Sequence, residues 1–109
     1  MSRMSHEFRS ENFEIGPVVC SKGVYETMKE DLQFGKDVVD AMLRYCRKDW
    51  GMLTESDILL NEEALCNPAD LYLIGTYVTS TQGKIYIITN RISETLGDNA
   101  TTICFPFER

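Results

Sequence analysis

Apolar residues return at two different periods along this chain. Up to about residue 66 they recur every three or four positions, as on one face of a helix. From Leu71 onward they gather into short runs rich in β-branched and aromatic residues, as in strands. Val24, Met28 and Leu32 stand at i, i+4 and i+8 and predict a helix over 22–32, capped by Ser21 and broken by Gly35. Val38, Val39, Met42, Leu43, Tyr45 and Cys46 form the inner face of a second helix from Lys36 to Lys48. Arg44, Arg47 and Lys48 gather in its last turn, where cations complement the helix dipole, and Gly51 ends it. Thr54-Glu55-Ser56-Asp57 has the form of a capping box, with Asp in place of the usual Glu. It opens a third helix with a buried stripe of Ile58, Leu59, Ala64 and Leu65, stopped by Asn67-Pro68.

The strands follow. Ile15 to Cys20 is a short one, confined by Pro17 to an edge or an irregular start. Leu71 to Thr79 and Lys84 to Thr89 form a hairpin about the turn Thr81-Gln82-Gly83. A polar loop over 91–99 leads to a last strand from Ala100 to Phe105, and Pro106 ends it. The expected fold is α+β, with three short helices packed on an antiparallel β-sheet of three or four strands. Such a sheet leaves its other face to solvent or to a partner. Residues 1–12 read as a flexible N-terminal tail and residues 13–109 as a single domain.

The tryptophan of Lys48-Asp49-Trp50-Gly51 is the only one in the chain. Placed just before a glycine, its ring can fold back on the last turn of the second helix and seal the end of the core, or serve as a binding anchor.

A chain of 109 residues makes one domain and buries roughly two thirds of its unfolded surface, so its stability requires neither disulfide nor metal. Cys20, Cys46, Cys66 and Cys104 are far apart in sequence and read as small buried hydrophobes. No apolar run approaches the roughly 20 residues of a membrane span, and the polar first residues carry no signal-peptide core. The expectation is a cytoplasmic protein with no membrane association. The net charge of −6 works against phosphate-backbone binding and suits a basic partner surface.

Candidate chemistry is sparse. The single histidine, His6, lies in the expected tail, a poor place for a catalytic imidazole. No phosphate-binding glycine loop is present. Asp49, Glu55, Asp57, Glu62 and Glu63 are close in sequence and carry the alternative of a carboxylate metal site. Glu55 and Asp57 are explained as well by the dipole of the third helix, and Glu62 and Glu63 by a solvated face. The expectation is therefore no enzyme and no cofactor. Tyr72, Tyr77 and Tyr86 lie on adjacent strands, Tyr72 and Tyr77 on opposite faces by alternation. Such rings pack across strands, anchor a protein partner, or stack on bases. The candidate partner-binding residues are Asp49, Trp50, Glu55, Asp57, Glu62, Tyr72, Tyr77, Tyr86 and Arg91.

The order of "FEIGPVV", "KDWG", "NEEAL", "GTY", "KIYIIT" and "TTICFP" resembles a family of small "plasmid-related" proteins of plasmids, phages and integrative elements. Phe13, Gly16, Asp49, Trp50, Gly51, Asn61, Leu65, Tyr77, Ile85, Ile87, Ile88, Thr89, Thr101, Thr102 and Pro106 carry it. The family pattern has Glu at Asn90, Trp at Tyr86 and a tight Asp-Arg-Ser turn where this chain has a longer loop starting at Arg91.

The resemblance implies a mobile-element setting and no established catalytic residues. In that setting small acidic proteins are often counter-defence factors. The expected function is a non-enzymatic protein-binding module, in its specific form an anti-CRISPR or anti-restriction inhibitor that occludes a nuclease complex. The alternatives are a single-stranded nucleic-acid binder using the tyrosines, and a small metal-dependent hydrolase using the carboxylates.

Overall fold

The computed structural model describes residues 2–3, 8–66, 72–91 and 99–108, with main chain alone at 2, 3 and 91. Strands β1 (Ser2–Arg3) and β2 (Val18–Cys20) precede helices α1 (Lys22–Glu30), α2 (Leu32–Cys46) and α3 (Glu55–Cys66). Strands β3 (Tyr72–Thr79), β4 (Gly83–Arg91) and β5 (Asn99–Cys104) follow, and a 3-10 turn spans Pro106–Glu108. The fold is α+β, three helices on a mostly antiparallel sheet ordered β1-β2-β5-β4-β3.

Two details of the sheet differ from expectation. β2 pairs parallel with β5, so the sheet is mixed. A parallel neighbour needs a long crossover, and here most of the chain lies between the two strands. β2 is also not an edge, because β1 adds to its outer side. Pro17 sits just ahead of the ladder and takes part through its carbonyl, which accepts from the Thr101 N–H.

The α1–α2 junction lies at Asp31, not at Gly35. The Asp31 N–H closes α1 on the Thr27 carbonyl, and its carboxylate accepts from the Phe34 N–H to open α2. A good N-cap contributes about 1 kcal/mol, and a glycine within a helix costs about as much, so Gly35 is carried inside α2. Phe34 is then pulled into the core, where it stacks on Phe105. Leu32, expected in a buried stripe, is the exposed first residue of α2.

α1 and α2 cover one face of the sheet. Val24, Phe34, Val38, Met42 and Tyr45 meet Leu73, Tyr77, Ile85, Ile87 and Ile103 in a continuous core. The α2 helix ends at Cys46, and Lys48, at φ 65°, takes the left-handed position expected of Gly51. Ser10 and Asn12 donate to the Cys46 carbonyl, and Phe8 packs on the core, so residues 8–12 are joined to the domain rather than forming a tail. His6 lies outside the described residues.

Beyond α2 the chain turns to guard the exposed edge of β3. Thr76 donates to the Trp50 carbonyl and accepts from the Met52 N–H, a parallel bridge centred on Gly51. A Cβ on Gly51 would sit 1.9 Å from the Thr76 carbonyl oxygen, and φ is +73°, so both contact and conformation require glycine there. Trp50 is 4% exposed, with its ring 5.3 Å from that of Tyr45 and 5.9 Å from that of Phe13. It seals the core, as one of the two expectations had it.

α3 opens as expected, with the Thr54 hydroxyl accepting from the Asp57 N–H. Its buried residue is Asn61, and Leu59, expected inside, is 63% exposed. Ile58, Leu59 and Leu60 are consecutive and fan around the helix, so no single line against a strand edge can cover all three. The helix stop expected at Asn67-Pro68 lies outside the described residues.

Candidate docking surface

Alternation along β3 and β4 sorts the tyrosines. Tyr77 points toward α2 and is 2% exposed, whereas Tyr72, 43% exposed, and Tyr86 share the opposite face. That face is not wholly open. α3 lies along its β3 border, held by Asn61, whose side-chain amide donates to the Ile74 carbonyl and accepts from the Ile74 N–H. A cleft of about 280 Å³ remains between helix and sheet, lined by Leu53, Asp57, Leu60, Asn61, Tyr72, Ile74, Thr76 and Tyr86.

Three of the expected partner-binding residues meet in this cleft: Asp57, Tyr72 and Tyr86. Glu55 and Glu62 are exposed on α3 outside it, and Glu62 pairs with Lys48 at 3.6 Å. Asp49 is exposed but engaged. Arg44 reaches it with two nitrogens at 2.8 and 3.2 Å, and the Gly51 N–H adds a third bond. The Arg44 hydrogen bond is the main reason that the Asp49 carboxyl titrates below its ordinary value. Trp50 and Tyr77 are core residues that offer no ring to a partner. The Tyr77 hydroxyl donates to the Asp49 carbonyl at 2.7 Å, and burial pushes its pKa up. Arg91 ends β4, with its side chain outside the described residues, as are residues 92–98 of the polar loop.

Leu53, Leu60, Asn61, Ile74 and Thr76 are cleft residues that the sequence did not single out for binding. Alternation along β3 places Ile74 and Thr76 with Tyr72, so that signal was available. No pattern in the sequence shows which strand α3 covers.

The electrostatics around the cleft are one-sided. α3 carries Glu55, Asp57, Glu62 and Glu63 and no basic residue. Met52, Leu59 and Leu60 are exposed on and beside it. Other carboxylates are used internally. Asp31 accepts from the Thr81 hydroxyl and the Gln82 amide, and Asp37 accepts from the Ser80 N–H, which ties the β3–β4 turn to α2. Glu108 accepts from Ser21, Gly23 and Phe105 and closes the C-terminal turn on the start of α1.

Among the described residues no group of three or more His, Cys, Asp or Glu could hold a metal ion, and no helix is long and apolar enough to cross a membrane. Burial raises the pKa of the Cys20 and Cys46 thiols, whereas Cys66, expected inside, is exposed.

Comparison with protein-family models, with curated proteins and with solved structures finds no match. The resemblance to the plasmid-related proteins thus rests on its motif residues. Several of these have structural work in this fold. Trp50 and Gly51 lie in the bridge to the edge of β3, the Asp49 carbonyl accepts from Tyr77, Asn61 holds α3, and Thr89 and Thr101 share a buried hydrogen bond.

Proposed function

We propose that this chain is a non-enzymatic protein-binding module of a mobile genetic element, docking through α3 and the adjoining cleft. In its specific form it inhibits a bacterial defence nuclease, of CRISPR or restriction type, by occupying a basic surface that otherwise holds nucleic acid. The supporting observation is the composition of α3: four carboxylates, no basic residue, and exposed leucines beside a cleft containing Tyr72 and Tyr86. Apolar and aromatic anchors give an interface its affinity, and the acidic rim steers it to a basic partner.

Capture of a partner from host lysate on immobilised protein tests this reading. The partner is retained at low salt and released as salt shortens the screening length from about 10 Å at 0.1 M to about 3 Å at 1 M. Retention indifferent to salt removes charge-led occlusion.

One observation favours a second reading, a single-stranded nucleic-acid binder: Tyr72 and Tyr86 share a sheet face on which bases could stack. Asp57 lines the same cleft and repels phosphate, so the protein partner is preferred. A gel shift at low salt decides between the two.

A further inference from the structure

We propose that the cleft between α3 and the sheet receives one long cationic side chain, an arginine of a protein partner, with its stem on Leu53, Leu60 and Ile74 and its guanidinium on Asp57 beside Tyr86. The proposal rests on the docking reading above and specifies what enters the cleft.

Size comes first. A volume of about 280 Å³ lies below the roughly 300–1,000 Å³ of ordinary small-molecule pockets and suits a single large side chain. The lining is amphipathic in the way that a long cationic side chain is. Leu53, Leu60 and Ile74 offer apolar wall, on which an arginine can lay its methylene stem while keeping its head group in a polar place.

The polar end is set by position. Met52 is bonded to Thr76, and Asn61 is bonded to Ile74. The first turn of α3, with Asp57, therefore lies level with Thr76, whose cross-strand neighbour is Tyr86. A guanidinium at Asp57 meets a carboxylate and an aromatic ring together, the combination that favours arginine over lysine.

Among the described residues, Asp57 is the only carboxylate of the lining, and no lysine or arginine lines the cleft with it. Both ends of the Asn61 amide are committed to Ile74. The other engaged carboxylates have partners of their own: Asp49 has Arg44, Glu62 has Lys48, and Asp31 and Asp37 hold the hairpin turn. Among the described residues, no cation pairs with Asp57.

The test uses the full chain, labelled with ¹⁵N and titrated with N-acetyl-arginine amide. N-acetyl-citrulline amide, of the same shape without the charge, is the control probe. Saturable shifts at the main-chain amides of Asp57, Ile74, Thr76 and Tyr86 are expected with arginine and not with citrulline. Asp57→Asn weakens arginine binding by about tenfold or more, as befits loss of a charge-assisted hydrogen bond, while Glu26→Gln, exposed on α1, leaves it unchanged. Equal shifts with citrulline, shifts elsewhere only, or none at all overturn the proposal, as does an Asp57→Asn variant that binds like the parent. A partner captured from lysate with no dependence on Asp57 rejects arginine in the cleft and leaves the docking reading standing. Arginine binding in the cleft by a chain that captures no protein supports the cleft and counts against the docking reading.

Discussion

Tyr45 and Thr89, 44 positions apart in sequence, share a 2.8 Å hydrogen bond in the middle of the core. The direction of the whole chain of bonds follows from its end. The Ile15 carbonyl can only accept, so the Thr101 hydroxyl donates to it at 2.7 Å. Thr101 then accepts from Thr89, also at 2.7 Å, and Thr89 accepts from Tyr45. Three buried hydroxyls on α2, β4 and β5 are satisfied in one line, and burial pushes the Tyr45 pKa up.

Breaking this line costs according to what is left unpaired. Thr101→Val strands the Ile15 carbonyl and the Thr89 hydroxyl and is expected to destabilise by about 1–3 kcal/mol. Tyr45→Phe removes only the terminal donor and is expected to cost about 1 kcal/mol. Urea unfolding of the two variants checks the order. Equal losses would mean that the bonds do not run in the stated direction.

Trp50→Ala removes a ring packed on Phe13 and Tyr45, and is expected to cost about 3–5 kcal/mol, as large-to-small core changes do. Because Thr76 bonds to the main chain of Trp50, amide exchange at Thr76 should also accelerate. A Trp50→Ala variant of parental stability would show that the ring seals nothing.

Asn61→Ala deletes both bonds to the Ile74 main chain. A loss of about 1–3 kcal/mol is expected, with faster hydrogen exchange at Ile74 than at its neighbour Leu73. Asn61→Asp is the sharper variant, because a carboxylate accepts from the Ile74 N–H but cannot donate to its carbonyl. Unchanged exchange at Ile74 in both variants would show that α3 is held by other means.

Asp31 carries an acid-sensitive part of the stability. Hydrogen bonds from Thr81, Gln82 and Phe34 lower its carboxyl to about 2 in the folded chain, against about 3.9 unfolded. A depressed folded pKa contributes stability that is present above the unfolded value and lost as pH falls through about 2. Melting of Asp31→Ala against the parent should therefore show a gap at pH 6 that narrows between pH 4 and pH 2. A gap constant over that range would indicate a purely steric role.

Much of this architecture was legible in local patterns. The Ser21 and Thr54 caps act on one turn each, and the β3–β4 hairpin needs only alternation and a glycine turn, so neighbours in sequence carried the information. The opposite faces of Tyr72 and Tyr77 followed from the same alternation. Gly35 does not break the helix, because the competing cap at Asp31 gains further from Thr81 and Gln82 across the fold. Leu59 misled because burial of α3 depends on what it packs against, and it packs on little more than the edge of one strand.

By itself the sequence determined the types of the longer elements, the α+β class and the acidic character, since these depend on period, caps and composition. Only the tertiary structure decided that β2 lies parallel to β5, that Trp50 and Asn61 guard the edge of β3, and that Asp57 shares a cleft with Tyr72 and Tyr86. Those relations join residues 13 to 83 positions apart. Closure over such spans is governed by packing and by the pairing of buried main-chain groups, which no neighbouring stretch of sequence encodes.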